Sequence, residues 1–441
     1  MDIAHPQIET VVLGSLVPNP RNARTHTDKQ ISQIAASIER FGWLVPIIVD
    51  DQGMIAAGHG RWMAARQMGC ACVPVIRACF LTDADRRAFA LAENRIADLS
   101  GWDEDILGEE LTALFEDGYE LEITGFGTAD LDLTIEVPTS EDGPEPPPVP
   151  VAAIDAATRV GDLWLCGPHR VLCGDARDAA NWERLLGDDK ASLVFADPPY
   201  NVKIEGHVSG NGRNRHREFV MGAGEMSAPE FTAFLRAIFR NCVRFSKEGS
   251  IHYHAMDWRH MRELLDAADG VYDEHKQLIV WKKNNGGQGA FYRSQHELVF
   301  VFKAGRAKHI NNFGLGGSGR YRTNVVEYAG ANTFRKGRDA DLAAHSTVKP
   351  VALVADFILD CSHRGDLVVD PCLGSGTTLI AAHRAGRRGA ALELDPGYVD
   401  TALRRISEVT GFEPVLAADG RTFSEIAACR AHRKEAARER G

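Results

Sequence analysis

A short apolar run that stops abruptly at two prolines most constrains how this chain can fold. Residues 193–196 are four consecutive apolar residues, the pattern of a strand that is buried on both faces of a sheet. The strand must end at Asp197-Pro198-Pro199-Tyr200, because proline cannot donate a ladder hydrogen bond. Helices must cover both faces of such a strand, so the sequence predicts an α/β fold with this turn at one edge of the sheet.

The turn after this strand carries groups suited to a flat ring that bears an amine. The lone pair of such an amine is delocalised into the ring, so its attack on an electrophile requires acceptors that hold its N–H groups as the nitrogen rehybridises. The Asp197 carboxylate and the Pro198 carbonyl are the predicted acceptors, and Tyr200 is predicted to stack on a base flipped out of a duplex. A capped, proline-rich turn without a catalytic role is the alternative interpretation.

A second buried strand leads into a glycine-containing turn. Residues 367–369 are followed by the turn DPCLGSGTT at 370–378, and a helix is predicted to begin at Leu379. Small residues let a turn approach a ligand closely, and a helix amino terminus favours a carboxylate. The next strand, residues 389–394, contains Glu393, about twenty residues past the turn, where a doubly wound fold holds a ribose diol.

These motifs together resemble the amino-group DNA methyltransferases that use S-adenosylmethionine. The resemblance covers roughly residues 161–423 and includes the segment HSTVKP at 345–350. The catalytic tetrapeptide precedes the cofactor turn, as in the beta group, so the resemblance implies a Rossmann-like methyltransferase sheet of permuted order. Many related glutamine and RNA methyltransferases place the cofactor turn first, and the glutamine enzymes have Asn where Asp197 stands.

The resemblance also implies a role for each part of the site. Catalysis is expected from Asp197, Pro198, Pro199 and Tyr200. Cys372 stands where an aromatic residue is usual, and a Pro-Cys pair is also similar to the nucleophile of cytosine-C5 methyltransferases, a weaker interpretation because a separate amine site exists. The residues implied to bind the cofactor are Asp370, Cys372, Gly374, Ser375, Gly376 and Thr377 in the turn, Glu393 at the ribose, Asp175 at the adenine, and Thr347 and Lys349 near the methionine part.

The amino-terminal region is predicted to be a second, smaller α/β unit. Its pattern predicts a helix over 31–41, strands over 46–49 and 54–57, and a helix over 62–68 after Gly58-His59-Gly60-Arg61. With residues 16–22, this box resembles the amino-terminal domain of the ParB/sulfiredoxin-like superfamily, whose glycine-arginine box contacts nucleotide phosphates. An acidic residue is frequent where His59 stands, so nucleotide binding by Gly58, His59, Gly60 and Arg61 and a plain tight turn both stay open.

Charge distribution suggests where nucleic acid binds. The net charge is −11, but residues 101–150 contain 15 Asp and Glu and no Lys or Arg, whereas residues 201–350 contain 23 Lys and Arg against 15 Asp and Glu. The basic segment also contains the aromatic residues Phe291 and Tyr292. Its cationic and aromatic side chains together predict contact with DNA phosphates and bases. The candidate DNA-binding residues are Lys282, Lys283, Asn284, Arg293, Arg320 and Arg322.

The pattern predicts four segments along the chain. They are a ParB-like domain with a helical extension at 1–137, a proline-rich acidic linker at 138–156, a methyltransferase domain at 157–425 with its target-recognition region at about 202–345, and a charged tail at 426–441. No run of about eighteen apolar residues and no signal pattern occur, so a cytoplasmic protein without membrane contact is predicted. Nine scattered cysteines predict reduced thiols, and His252, His254 and His260 are expected to be structural, so no metal is expected.

The expected activity is methyl transfer to an exocyclic ring nitrogen of double-stranded DNA. The N6 amine of adenine is the first choice because of its prevalence in the family, and the N4 amine of cytosine is the alternative. The competitor from another class is a ParB-like DNA-binding or partition protein whose second domain is inactive. A restriction nuclease partner, a homodimer, and a nucleotide or protein partner of the first domain stay open.

Overall fold

The chain folds into two compact units, residues 1–135 and 136–441, each with its own core. The computed structural model describes residues 7–80, 82–127, 132, 156–202, 221–222, 224–284, 286, 291–313, 322–328 and 349–438. All nine cysteines lie within these residues, and all are free thiols. Within the same residues, no helix combines the length and the apolar character needed to cross a membrane.

A four-stranded sheet forms the centre of the first unit. Its strands follow the spatial order β1-β4-β2-β3, with β2 parallel to β4 and the other two pairs antiparallel. These short strands are rich in Val and Ile, which fit a pleated, half-buried surface. The two strands predicted from the sequence are confirmed to within one residue. The strands are β1 (Ile8–Val12), β2 (Ile47–Val49), β3 (Ile55–Ala57) and β4 (Cys72–Arg77).

The helices of the first unit begin and end where local sequence dictates. Thr27 caps the first helix by accepting a hydrogen bond from the Gln30 amide, and Gly42, with a φ of 79°, ends it. The second helix begins at His59, three residues before the predicted start, because Gly58 adopts a left-handed φ of 97° as its N-cap. The helices are α1 (Asp28–Phe41), α2 (His59–Gln67), α3 (Asp83–Ala97) and α4 (Glu104–Glu116), with 3₁₀ turns at Leu13–Ser15 and Leu121–Thr124.

The described part of the second unit contains a ten-stranded mixed sheet with a parallel centre. The spatial order is β11-β9-β10-β8-β7-β12-β13-β6-β5-β14, and the central strands β8, β7, β12, β13 and β6 run parallel. The strands are β5 (Leu163–Cys166), β6 (His169–Cys173), β7 (Ala191–Ala196), β8 (Ser246–Met256), β9 (Glu274–Lys282), β10 (His296–Lys303), β11 (Val325–Glu327), β12 (Leu367–Asp370), β13 (Arg388–Glu393) and β14 (Val415–Leu416).

Helices cover both faces of this sheet. Every residue of β7 is buried, with Val194 in one hydrophobic core and Phe195 in the other. The predicted two-sided strand and the α/β fold class are therefore confirmed. The helices are α5 (Ala179–Leu186), α6 (Ala228–Arg244), α7 (Met261–Ala268), α8 (Val351–Cys361), α9 (Thr377–Arg384), α10 (Pro396–Thr410) and α11 (Phe423–Arg438).

The strand order reverses between β7 and β12. From β7 the chain continues through α6 to β8 on one side, whereas from β12 it continues through α9 to β13 on the other. Connections that leave in opposite directions open a crevice at the carboxyl ends of the two strands, which is where ligands bind in open α/β sheets. This topology places a binding site next to Asp197 and Asp370.

The structure describes three of the predicted segments to different extents. The charged tail predicted from 426 begins within α11, where Ile426 is buried and Arg430 pairs with Asp162 at 2.6 Å, so this helix packs on the second unit. The predicted target-recognition region contains α6, β8, α7, β9, β10 and β11, so it includes sheet strands as well as connections, and its role in recognition stays a prediction. Of the predicted linker, residues 138–155 lie outside the described residues.

Candidate active site

A cavity opens at the carboxyl ends of four neighbouring parallel strands. Asp175 follows β6, Asp197 follows β7, Asp370 ends β12 and Glu393 ends β13, and all four residues line it. The parallel arrangement brings these ends to one edge of the sheet, although the residues are far apart in the sequence. Of the predicted catalytic and cofactor residues, only Gly376 does not line the cavity, and Thr347 lies outside the described residues.

The Asp197 carboxylate is held by two donors. The Tyr200 hydroxyl donates to Oδ1 at 2.8 Å, and the Lys349 ammonium donates to Oδ2 at 2.7 Å. Burial raises the pKa of Asp197 above its usual value, while Lys349 opposes the increase. The two hydrogen bonds fix the orientation of the carboxylate, and its remaining lone pairs can accept hydrogen bonds from a substrate.

Lys349 lies in the catalytic part of the cavity. It was predicted near the methionine part of the cofactor, but its amino group lies between two carboxylates, 2.7 Å from Asp197 and 3.1 Å from Glu297. The residue is only 5 % exposed, so its charge requires such partners. Lys349 shares the cavity with Asp370, so its predicted position near the methionine part of the cofactor stays a prediction.

Glu297 belongs to this site, although the sequence did not predict it. It lies on β10 with Oε2 3.3 Å from the Tyr200 hydroxyl, and Oε1 accepts a hydrogen bond from Lys283. Burial alone would raise its pKa, but Lys349 and Lys283 outweigh burial and lower the pKa of Glu297 to about 2. The available signal was an acid directly before the five apolar residues 298–302, where a buried carboxylate is costly without a partner.

The glycine turn after β12 is fixed by the acid at the end of β13. The Gly374 amide donates to Oε2 of Glu393 at 2.8 Å, and the Asp395 amide donates to Oε1 at 2.8 Å. Gly376 adopts a φ of 93° and packs against Ala402, where a Cβ would lie 3.2 Å from the alanine side chain. Gly376 therefore shapes the turn from behind rather than lining the cavity.

This cofactor half fits a cationic ligand with hydroxyl groups. Burial raises the pKa of Asp370 to about 7, partly opposed by hydrogen bonds from Thr378 and the Cys372 amide. Among the described residues, no Lys or Arg forms an ion pair with Asp370 or Glu393, and the buried Thr377 hydroxyl has no hydrogen-bond partner. Such a ligand would supply the positive charge that these buried acids lack and a hydrogen-bond partner for the unsatisfied hydroxyl.

Two other predicted cofactor residues already have internal partners. The Asp175 carboxylate is held by the Arg177 side chain through three contacts, at 2.6, 3.0 and 3.0 Å. The Ser375 hydroxyl accepts a hydrogen bond from Arg405 at 3.0 Å. The contact between Asp175 and an adenine stays a prediction, in which Arg177 would share the carboxylate.

The burial of Cys372 and the hydrogen bonds of the buried histidines indicate structural roles for these residues. Burial raises the pKa of Cys372 well above its usual value, with Asp370 and Glu393 adding to the effect, so the thiolate needed for nucleophilic attack is disfavoured. His252 and His254 each share a hydrogen bond with the Tyr272 hydroxyl, at 3.0 and 2.7 Å. In the part of the chain that the structure describes, no three potential ligands gather as a metal site would require.

The DNA-binding candidates fall into two groups. Three of them form ion pairs within the protein: Lys282 with Glu327, Lys283 with Glu297, and Arg322 with Asp356 and Asp360. Arg322 is three-quarters buried and held by two acids of α8, so its prediction as a phosphate contact is replaced by a structural role.

The second group lies around the connection between β9 and β10. Phe291 and Tyr292 are 89 % and 85 % exposed, with ring centroids 4.6 Å apart, and Asn284 and Arg293 are also exposed or partly exposed. Exposed aromatic rings beside polar and cationic groups are suited to nucleic acid. Arg320 lies outside the described residues.

The predicted nucleotide box of the first unit forms the start of α2. The Asn19 amide donates to Nε2 of His59 at 3.1 Å, and a Cβ on Gly60 would lie 2.9 Å from Ile34. Burial lowers the pKa of both His59 and Arg61. Gly60 is thus required for helix packing, and nucleotide binding by the box stays a prediction.

Comparisons with known proteins agree with these two units. Family models match residues 191–404 as a DNA methylase of the N6/N4 type, residues 2–95 as a ParB N-terminal domain, and residues 105–154 as a ParB-methyltransferase helix-turn-helix domain. The third match was not predicted and overlaps most of the proposed linker. The polar, proline-rich composition of the overlapping stretch is typical of a linker, so the sequence pattern did not predict a folded domain there.

Individual proteins match either unit. The Type II methyltransferase M.HpaI of Haemophilus parainfluenzae is 24 % identical over 265 residues, 56 % of this chain and 77 % of that protein. The ParB-like nuclease domain-containing protein YnaK of Escherichia coli K12 is 45 % identical over 75 residues, 17 % of this chain and 86 % of that protein. The cytosine-N4-specific PvuII DNA methyltransferase structure is 15 % identical and covers 62 % of this chain and 95 % of its own, with a TM-score of 0.42.

The family matches, together with the α/β sheet, identify a DNA methyltransferase of the N6/N4 type. Residues 191–404 belong to the N6/N4 DNA methylase family, and the chain has a ParB-like amino-terminal domain, as predicted. S-adenosylmethionine is the methyl donor of this family, so the predicted cofactor is confirmed.

Proposed function

We propose that this protein transfers a methyl group from S-adenosylmethionine to the N6 amine of adenine in double-stranded DNA. The observation that carries the proposal is the shared cavity, which is lined by Asp197 and Tyr200 and by Asp370 and Gly374 of the turn. The free thiols of this protein fit a reducing cytoplasm.

The residues of the catalytic half would bind and orient the target amine. Asp197 and the Pro198 carbonyl accept its two N–H groups, which favours the rehybridised nitrogen in the transition state. Tyr200 is tied to Asp197 through its hydroxyl, so its ring has a fixed orientation for stacking on the flipped base. The bound cofactor supplies the electrophilic methyl group.

The cofactor half would recognise the donor through charge and hydroxyl contacts. Glu393 would accept the ribose hydroxyls, and a cationic group of the donor would offset the buried charge of Asp370; the burial of both acids supports these roles. The unpartnered Thr377 hydroxyl supplies a further hydrogen bond. These contacts orient the ligand, so positioning contributes much of the rate.

The chemical identity of the methylated nucleotide shows which DNA base the protein modifies. Incubating the full chain with duplex DNA and labelled cofactor is expected to give N6-methyladenine, detected by mass spectrometry of the digested DNA. Detection of N4-methylcytosine alone would replace the adenine assignment with the cytosine alternative, since both amines suit the same acceptors. Unmethylated DNA would support the competing interpretation, a ParB-like DNA-binding protein with an inactive second domain.

For the first unit we propose DNA or partner binding that positions the methyltransferase. Support comes from the matches of residues 2–95 and 105–154 to ParB-related domains. Removing residues 1–150 is expected to weaken DNA affinity or alter site choice, while transfer to saturating DNA continues because the second unit has its own core. Fluorescence anisotropy and methylation mapping would measure both properties, and unchanged values for both would rule out this role.

A further inference from the structure

Four charged side chains form a balanced group around Lys349. The group contains two acids, Asp197 and Glu297, and two bases, Lys349 and Lys283. Lys349 contacts both acids, and Lys283 contacts only the outer one, Glu297, among the contacts that the structure describes. We call it the four-charge cluster, and its formal charge is zero when all four groups are ionised.

The position of Lys349 presents a chemical difficulty for the reaction. The target nitrogen forms its bond to the methyl carbon as the carbon–sulfur bond breaks, the electron pair remains on sulfur, and the nitrogen becomes positive before releasing a proton. An ammonium 2.7 Å from Asp197 opposes that positive charge and competes for the carboxylate that stabilises it. A buried cation beside the reacting nitrogen therefore needs a second counter-charge.

Glu297 has the position and the ionisation state to supply this counter-charge. Its Oε2 lies 3.1 Å from the Lys349 ammonium, which at the same time contacts Oδ2 of Asp197 at 2.7 Å. Lys283 holds the other oxygen, Oε1, so the carboxylate cannot turn away without losing an ion pair. Glu297 is also within 3.3 Å of the Tyr200 hydroxyl, which connects it to both predicted substrate-contacting side chains.

We infer that Glu297 is a positioning residue that holds and neutralises Lys349, so that the negative charge of Asp197 remains available to the target amine. This inference rests on the proposed role of Asp197 in methyl transfer. It assigns Glu297 no contact with the substrate. The proton that the methylated nitrogen releases can pass to Asp197, which accepts a hydrogen bond from that nitrogen in the proposed complex.

The sign of the pH dependence follows from the groups that face Asp197. Lys349 lowers its pKa, while Glu297 raises it, and Tyr200 donates a hydrogen bond that favours the ionised form. Asp257 faces Tyr200, and Asp370 and Cys372 face Asp197 across the cavity. Replacing Glu297 with a neutral residue therefore lowers the pKa of Asp197, and the acid limb of the rate profile moves to lower pH.

The test compares Glu297→Gln with wild-type protein at saturating DNA and cofactor. Glu297→Gln is expected to lower kcat by roughly 10- to 100-fold, because preorganised charge near the reacting atoms contributes strongly to rate. KM for DNA should change less than about twofold, and the acid limb should move down by roughly 0.5 to 2 pH units. Glu297→Asp retains the charge and should recover part of kcat.

Glu274→Gln is the matched control. Glu274 lies on the neighbouring strand β9 and pairs with Lys276 at 3.0 Å, but it does not line the cavity. Its substitution removes an ion-paired carboxylate without touching the four-charge cluster. We expect wild-type kcat and a wild-type pH profile from this variant.

Other outcomes would overturn the inference in distinguishable ways. Wild-type kcat and an unmoved acid limb in Glu297→Gln would show that Lys349 needs no counter-charge, with the proposed function intact. Equal losses in Glu297→Gln and Glu297→Asp with no pH shift would indicate packing alone. An inactive wild-type protein would instead remove the proposed function, and this inference with it.

Lys283→Met provides a second test if Glu297→Gln fails to fold. Loss of Lys283 leaves Glu297 with one cation and adds net negative charge to the cluster. The acid limb at saturating DNA should then move to higher pH, the opposite direction. A shift to lower pH, or no shift, would contradict the inference.

Discussion

Replacing Asp197 with alanine is expected to abolish methyl transfer while the protein still binds S-adenosylmethionine. The substitution removes an acceptor for the target amine and leaves Lys349 beside the nitrogen that becomes positive. A rate loss of at least about 1,000-fold is expected, because both effects act in the transition state. Single-turnover methylation of a duplex and calorimetric titration with the cofactor measure the two properties separately.

Two further variants test whether the loss of methyl transfer is specific to the Asp197 carboxylate. Asp197→Asn retains one neutral acceptor and should keep a residual rate above that of Asp197→Ala. Asp188→Ala removes an exposed carboxylate from the connection before β7 and should behave as wild type. Methylation by Asp197→Ala at a rate near wild type would contradict the proposed catalytic role.

Replacing Glu393 with alanine is expected to affect cofactor binding above all. The variant loses the acceptor for the ribose hydroxyls and releases the Gly374 amide from its 2.8 Å hydrogen bond. Two charge-assisted hydrogen bonds together correspond to roughly 3 kcal/mol, so the affinity for the cofactor should fall by about 100-fold. Calorimetric titration measures the fall, and saturating cofactor should restore much of the rate.

Glu408→Ala is the control for this experiment. Glu408 is an exposed acid on α10, outside the cavity, and its removal should leave cofactor affinity unchanged. An unaltered affinity in Glu393→Ala would exclude the assigned ribose contact. Asp197→Ala should bind the cofactor normally, whereas Glu393→Ala should bind it weakly. The two variants therefore test the catalytic and the cofactor-binding residues separately.

The parts of the site that follow short, strongly patterned segments could be predicted. An apolar strand ending at Asp197-Pro198 and a glycine turn beginning at Asp370 each encode their geometry within a few residues. Proline ends the first strand, and small residues allow the second turn to bend tightly. The fold class followed because buried parallel strands and amphipathic helices leave few alternatives.

Contacts between distant segments could not be predicted. The pairing of Lys349 with Asp197 depends on the sheet and on the segment before α8, and the position of Glu297 depends on where β10 lies relative to β7. Arg322 was a plausible phosphate contact by charge alone, yet the acids of α8 neutralise it. Local sequence states the charge of a side chain but not which partner it meets.

The two halves of the predicted site lie far apart in the sequence but follow neighbouring strands of the sheet. The two halves of the site are joined by pairing of Leu193 with Val368 and of Val194 with Val369, and this pairing does not depend on the length of chain between them. Changes in the connection between β9 and β10, where Phe291 and Tyr292 are exposed, would therefore leave this pairing intact. We expect such a protein to acquire a new target site through this connection, without rebuilding its catalytic centre.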